Sequence, residues 1–181
     1  SGQKGIGKCT LAYHLINYIL STGEDNSYDI KNFLINKENR SYKLIQNGSH
    51  MNFVLIDVLA EKKSIDISQI RDLISNLNKS SFNSKPRIVL IDNIEMLNNN
   101  SINALLKIIE EPNDGIFFIL IDNNKNILET LKSRCLSFKI SLSHKLSIEV
   151  INKLLNANVY DLINSDLLSY YFTPGKIYNL I

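Results

Sequence analysis

The first ten residues, SGQKGIGKCT, combine glycines and a lysine at the spacing of a phosphate-binding loop. Gly2, Gly5 and Gly7 allow tight turns that bring successive backbone N–H groups around a phosphate, and Lys8 would neutralise the outer phosphates of a nucleotide. The loop pattern G-x-x-x-x-G-K-[ST] requires a hydroxyl residue after the lysine, but Cys9 stands there. The loop predicts ATP binding; the alternative is a glycine-rich turn that only begins a helix.

Hydrolysis of ATP needs a metal ion and a base, and the sequence supplies both poorly. Mg²⁺ prefers oxygen ligands, so the Cys9 sulfur is a poor substitute for a hydroxyl, and Thr10 replaces it only if the register shifts. In RIVLIDNIEML a buried strand ends in Asp92, which is placed to hold Mg²⁺ directly or through water, or is only a strand-end turn residue. Asn93 follows, and an amide cannot accept the proton of an attacking water. Glu95 is the remaining candidate base.

The two cysteines of the chain are too few for a disulfide framework or a four-thiolate zinc site. We therefore expect no zinc and a cytoplasmic location. Cys9 lies at the predicted start of a helix beside Lys8, and such surroundings favour the thiolate form of cysteine. The sequence thus predicts a reactive thiol at Cys9, with Cys135 as a reference.

The elements that position these residues follow from the apolar pattern. Helical spacing of apolar residues continues from Lys8 until Gly23, which ends the helix. Four short runs, FVLIDVL, RIVLID, IFFILID and LSFKISL, are typical of strands buried on both faces of a parallel sheet. Helical patterns at 67–77, 101–111 and 127–133 separate these runs. The order predicts an α/β three-layer sandwich with a parallel sheet.

The domain organisation follows from where the strand patterns stop. We expect an α/β core at 1–142 and a small helical domain at 143–181, with two further short helices in segment 28–50. A phosphate loop normally follows a strand, so we expect the first strand of the core before Ser1, and more of the helical domain beyond Ile181. The net charge of +2 does not favour a stand-alone nucleic-acid binder, and no apolar run is long enough to span a membrane.

The stretch SINALLKIIEEPNDGIFFILIDNNKNILETLKSRC resembles the signature of the AAA+ clamp-loader family. In that signature Asn-Ala-Leu-Leu-Lys, Glu-Glu-Pro, a buried strand and Ser-Arg-Cys follow one another. NGSHMNFVLI and SIDISQIRDL also resemble segments of the delta-prime members of the family. The similarity covers nearly the whole chain, is strongest over 87–138 and is weaker over 28–40. It implies an AAA+ P-loop NTPase core followed by a helical lid.

The resemblance also implies roles for single residues. Arg134 matches the arginine that reaches the ATP of a neighbouring subunit, although a local ion pair with Glu129 or another acid is the alternative. Asp122 or Asn123 falls at the first nucleotide sensor, which is usually an uncharged polar residue. The segment TPGK resembles the second sensor, with Lys176 in place of the usual arginine; lysine offers a point charge without the bidentate fork.

Altered hydrolytic positions together with a retained Arg134 resemble the delta-prime pattern, and the four-cysteine zinc module of many relatives is missing here. The resemblance implies a non-hydrolysing subunit of the DNA polymerase III holoenzyme that lends an arginine during loading of the sliding clamp. The implied partners are gamma/tau and delta subunits, the clamp, and primer-template DNA through the assembly, with no membrane. One alternative is an active gamma/tau-type ATPase in which Glu95 or Thr10 restores catalysis. A small-molecule P-loop kinase is a second, but NALLKIIEEP does not fit it.

Overall fold

The computed structural model describes residues 1–79, 83–111, 113–123, 129–168 and 170–181. Within these residues one parallel sheet has the order β1-β2-β3, with β1 at Phe53–Ile56, β2 at Arg87–Ile91 and β3 at Ile116–Leu120. The strands end in step, because Ile56 pairs with Ile91 and Ile91 pairs with Leu120. The polar residues that follow the strands therefore meet at one edge of the sheet.

The α-helices of the described ranges are α1 (Lys8–Leu20), α2 (Arg40–Gln46), α3 (Ile67–Leu77), α4 (Asn99–Glu110), α5 (Glu129–Lys132), α6 (His144–Leu155), α7 (Ser165–Leu168) and α8 (Pro174–Tyr178). The α3 prediction is confirmed at both ends, and α4 begins two residues earlier than predicted. Of the predicted helix at 127–133, residues 127–128 lie outside the described ranges. No helix in the described part of the chain is long and apolar enough to cross a membrane.

The chain divides into two compact units. The sheet unit is Cys9–Leu136, and the lid unit combines Ser1–Lys8 with Ser137–Ile181. The lid unit has its own apolar core, in which Ile151 and Ile177 are fully buried. The predicted division at residue 142 stays a prediction.

The centre of the sheet unit explains why its strands read as continuous apolar runs. Ile88 and Leu90 of β2 join an apolar cluster with α1, while Val89 and Ile91 join a cluster with α3 and α4 on the opposite face. All four are at most 1% exposed. A strand covered on both faces needs apolar residues at every position rather than at alternate ones. Helix, sheet and helix form three layers, which confirms the predicted fold class.

The fourth predicted strand, LSFKISL, is wrong: its residues form no strand in the structure. The segment has two backbone hydrogen bonds to Ser1. Ile140 N donates to Ser1 O at 2.8 Å, and the Ser1 amino group donates to Phe138 O at 2.7 Å. Two hydrogen bonds to one residue do not make a ladder, so the segment is not a strand despite its β propensity.

Segment 28–50 contains α2 but not the second helix that the sequence predicted. Asp29 and Leu34 instead exchange two backbone hydrogen bonds of 3.0 Å. The Asp29 carboxylate accepts from the N–H groups of Lys31 and Asn32, at 2.9 and 3.1 Å. Such local side-chain bonds offer the backbone an alternative to a helix.

A partly buried carboxylate joins α1, α2 and the residues before β2. Glu24 accepts hydrogen bonds from Lys85 Nζ and Ser41 Oγ, each at 2.7 Å, and from Asn39 Nδ2 at 3.2 Å. Desolvation is the largest single influence and raises the pKa of Glu24. The hydrogen bonds from Lys85 and Ser41, together with the charge of Lys85, outweigh it and lower the pKa to about 2.

We expect Glu24 to stabilise the fold at neutral pH and to lose this effect in acid. Its folded-state pKa of about 2 lies below the ordinary value of 4.5, so the contribution is complete above pH 4.5 and is lost as the pH falls toward 2. Glu24→Gln should lower the unfolding free energy at neutral pH by about 1–3 kcal/mol and flatten its acid dependence. Urea denaturation at several pH values measures both effects. Glu38→Gln, which breaks an exposed pair with Lys43, should change stability little. A Glu24→Gln protein as stable as wild type at neutral pH would contradict this role.

Candidate functional site

The glycine-rich loop belongs to the lid unit, and its backbone has the turns of a phosphate cradle. Gly5 and Gly7 have φ angles of +89° and +88°, in the left-handed region that favours glycine. Lys8 is 8% exposed, and its Nζ donates to the carbonyls of Gly2 at 2.8 Å and Gln3 at 2.6 Å. The ammonium thus donates to carbonyls of its own loop, and a phosphate would compete with these carbonyls for its N–H groups.

The predicted second sensor contacts this loop, within the same unit, through one side-chain hydroxyl and one backbone N–H. Thr173 Oγ1 donates to Lys4 O at 2.8 Å, and Gly175 N donates to Gly5 O at 2.9 Å. A Cβ on Gly175 would lie 2.8 Å from Gly5 Cα, so only glycine allows this approach. The Lys176 side chain is exposed at the start of α8. The structure therefore places TPGK against the glycine-rich loop, and the role of Lys176 as second sensor stays a prediction.

In the sheet unit, a chain of hydrogen bonds joins the residues that follow the three strands. Asn93 Nδ2 donates to Asp57 Oδ1, and Asn123 Nδ2 donates to Asn93 Oδ1, each at 2.8 Å. Asn123 also donates to both oxygens of Glu95, from Nδ2 at 2.8 Å and from the backbone N at 3.4 Å. Asn123, one of the two candidates for the first sensor, is thus part of this hydrogen-bond network. Asp122, the other candidate, is buried at 5% exposure.

Asn93 is held in an uncommon backbone conformation within this network. Its φ of +55° lies in the left-handed region, where asparagine is better tolerated than most residues with a side chain. Its backbone N–H donates to Asp92 Oδ1 at 2.8 Å. The position after Asp92 thus carries an amide that organises its neighbours, in place of a carboxylate that could accept a proton.

Of the two residues that follow Lys8, Cys9 forms a hydrogen bond with the Asp92 side chain, whereas Thr10 is exposed. Burial raises the pKa of the Cys9 thiol, and the charge and hydrogen bond of Asp92 and the charge of Asp57 raise it further, to about 12. The prediction of a thiolate at Cys9 is therefore wrong. Desolvation and neighbouring carboxylates outweigh the effect of the helix N-terminus.

This set of donors does not suit Mg²⁺. A neutral thiol is a poor ligand for a hard cation, and the oxygens of Asp57 and Asp92 named above already accept hydrogen bonds from Asn93. Within the ranges that the structure describes, no group of three or more His, Cys, Asp or Glu could hold a metal ion. A Mg²⁺ ligand role for Asp92 stays a prediction, whereas the turns at Gly5 and Gly7 suit a phosphate.

We expect Cys9 to react slowly with iodoacetamide. Raising its pKa from 9.0 to about 12 lowers the thiolate fraction at neutral pH about a thousandfold. The greater nucleophilicity of the more basic thiolate recovers about twentyfold, so the rate should be about fiftyfold below that of an ordinary cysteine. Asp92→Asn should lower the pKa of Cys9 and accelerate its alkylation without affecting Cys135. Mass spectrometry measures both rates, with Asp114→Asn as the surface control. Rapid alkylation of wild-type Cys9 would refute the raised pKa.

Arg134 lies two residues after α5 in the sheet unit, and its side chain is 34% exposed. Its Nη2 lies 2.5 Å from Glu110 Oε1, and its Nη1 donates to Thr130 O at 2.7 Å. Arg134 therefore forms a local ion pair, and its partner is Glu110 rather than Glu129. Glu129 instead pairs with Lys132, at 3.1 Å.

Asp57 and Glu110 were not among the site residues predicted from the sequence. Asp57 had a usable signal, because it follows FVLI as Asp92 follows RIVLI, and parallel strands bring such residues together. Glu110 had no comparable signal. It stands beside Glu111 in IIEEP, and only the meeting of the α4 end with the chain after α5 distinguishes the two carboxylates.

The sequence of this chain is similar to subunits of DNA polymerase III. Residues 1–144 match the family described as DNA polymerase III, delta subunit. The delta' subunit of DNA polymerase III from Buchnera aphidicola is 31% identical over 165 residues, which cover 90% of this chain and 47% of that protein. The gamma subunit from Buchnera aphidicola is 32% identical over 143 residues, covering 78% of this chain and 37% of that protein.

Among solved structures, a DNA polymerase III gamma subunit-related protein from Thermotoga maritima superposes with a TM-score of 0.45 at 23% identity. The superposition covers 55% of this chain and 33% of that one. The chain thus spans less than half the length of these relatives. The family match extends over most of the chain, and the chain belongs to the family of delta-prime clamp-loader subunits of DNA polymerase III.

Proposed function

We propose that this subunit holds a nucleotide phosphate without hydrolysing it and lends Arg134 to the ATP of a neighbouring gamma/tau-type subunit. In this role it works with gamma/tau and delta subunits to load a sliding clamp onto primer-template DNA. The observation that carries the proposal is the occupation of the strand-end groups by protein donors. Asn123 donates to both oxygens of Glu95, the remaining candidate base.

The expected loss of catalysis is large. A positioned general base contributes about 10²–10⁴-fold in rate. Asn93 cannot act as one, and Glu95 would first have to release Asn123. The Cys9 thiol gives a nucleotide-bound Mg²⁺ no hydroxyl oxygen and donates to Asp92. Several separate contributions are weakened at once, so we expect negligible turnover by the subunit alone.

Arg134 is suited to act on a neighbour rather than at this chain's own strand ends. It lies at the surface of the sheet unit, after a short helix rather than after one of the three strands. A guanidinium has five N–H donors, and the contacts to Glu110 and Thr130 leave the fork able to make further ones. Arginine supplied across an interface stabilises the charge that develops on a transferring phosphoryl group.

ATPase measurements on the protein alone and after assembly with gamma/tau and delta subunits test the proposal. We expect no steady hydrolysis by the isolated protein, and hydrolysis stimulated by clamp and primed DNA in the assembly. The similarity to a gamma subunit favours one rival, an active ATPase of gamma/tau type. Steady hydrolysis by the isolated protein that disappears in Lys8→Ala would establish that rival instead.

A further inference from the structure

The guanidinium of Arg134 contacts acceptors on two different helices of the sheet unit, and Nη1 also lies 3.5 Å from Ser133 Oγ. Glu110, the last residue of α4, approaches Nη2 with its Oε1 at 2.5 Å. The Thr130 carbonyl, from α5, accepts from Nη1 at 2.7 Å. Glu110 supplies a charged acceptor, and it belongs to α4, a longer helix that packs against the sheet. Two anchors from separate elements restrict how the side chain can turn.

The exposure of this ion pair shows which kind of effect it can have. The Arg134 and Glu110 side chains are 34% and 46% exposed, and pairs at such positions contribute little to folding stability. An attraction this weak cannot keep Arg134 from a phosphate that carries more than one negative charge. It can nevertheless favour one orientation of a flexible side chain, because the competing rotamers differ little in energy.

We propose that Glu110 is a positioning residue for Arg134. It binds one edge of the guanidinium, so that the remaining N–H groups meet the phosphate of a neighbouring subunit in a fixed orientation. This inference rests on the proposed trans-acting role of Arg134. Immobilising one flexible side chain at an interface costs about twofold to tenfold in an equilibrium or rate. Glu110 would order the Arg134 side chain before the subunits assemble, so removing the Glu110 carboxylate should lower the rate of hydrolysis.

The test compares four variants in the complex with gamma/tau and delta subunits. Glu110→Ala should lower kcat for clamp- and DNA-stimulated hydrolysis by about threefold to tenfold, with KM for ATP unchanged, because the loss falls on the transition state. Glu110→Gln keeps an oxygen acceptor and should stay within about twofold of wild type. Glu111→Ala removes the adjacent exposed carboxylate and is the matched control, with an expected rate equal to wild type. Arg134→Ala reports whether the arginine acts at all.

Coupling between the two residues separates positioning from a general effect of the mutation. In an Arg134→Ala background, Glu110→Ala should cause no further loss, since there is no guanidinium left to orient. Urea denaturation midpoints of the single variants should match that of wild type. If Arg134→Ala slows hydrolysis while Glu110→Ala is as fast as wild type or faster, the positioning role is wrong and the proposed function stands. If Arg134→Ala is itself without effect, the proposed function falls and takes this inference with it.

Discussion

Replacing Arg134 with alanine should slow ATP hydrolysis at the neighbouring gamma/tau-type site by about 10³–10⁵-fold. This is the usual contribution of an arginine supplied across an interface, and it corresponds to about 4–7 kcal/mol of barrier. The ion pair with Glu110 would account for less than about 1 kcal/mol, since both side chains are partly exposed. The trans-acting role and the ion pair thus differ by several kcal/mol in expected effect, and the hydrolysis rate of Arg134→Ala distinguishes them.

Arg134→Lys and a control arginine make this experiment specific. Lysine keeps the charge but lacks the planar fork, so Arg134→Lys should remain far slower than wild type. Arg71, an exposed arginine on α3 in the same unit, is the matched control, and Arg71→Ala should leave the rate unchanged. The measurement is clamp- and DNA-stimulated ATPase with assembly checked by size-exclusion chromatography. Normal assembly and wild-type rates in both Arg134 variants would rule out the trans-acting role.

The parts of the fold that the sequence predicts well depend on local signals. Helix α3 begins where Asp66 N donates to Gln69 Oε1 at 3.1 Å, and it ends before Asn78, so its bounds follow from nearby residues. The strands of the sheet were recognisable because burial on both faces requires uninterrupted apolar runs. LSFKISL instead alternates apolar and polar residues, and its residues form no strand in the structure.

The candidate site divides in the same way. The glycine and lysine spacing of the loop predicted tight turns at Gly2, Gly5 and Gly7, and Gly5 and Gly7 have left-handed φ angles. The protonation of Cys9 was mispredicted because its cause is distant in sequence: the carboxylate that accepts from the thiol follows β2, and burial comes from the packing of α1 on the sheet. The Glu110 contact likewise depends on tertiary structure. Sequence therefore indicates which groups are present, and packing decides their charge states and partners.

Replacing Lys8 with methionine should weaken ATP binding by about tenfold to a hundredfold. A charge-assisted hydrogen bond contributes about 1.5–3 kcal/mol, and the loop N–H groups would retain the remaining affinity. The loss is reduced because the carbonyls of Gly2 and Gln3 compete with the phosphate for the N–H groups of Lys8. Equilibrium dialysis with labelled ATP measures the change, and no variant should show steady hydrolysis.

Two other lysines of the lid unit serve as controls for Lys8. Lys4 is exposed in the same loop, where its backbone carbonyl contacts Thr173, so Lys4→Met should leave ATP binding within about twofold of wild type. Lys176 is an exposed point charge, and Lys176→Met should weaken binding by less than about fivefold. Thermal denaturation of each protein shows whether it remains folded, because Lys8→Met also removes the hydrogen bonds from Lys8 Nζ to the carbonyls of Gly2 and Gln3. If a folded Lys8→Met protein bound ATP as tightly as wild type, Lys8 would be only a support for the loop, and the phosphate site would have to lie elsewhere.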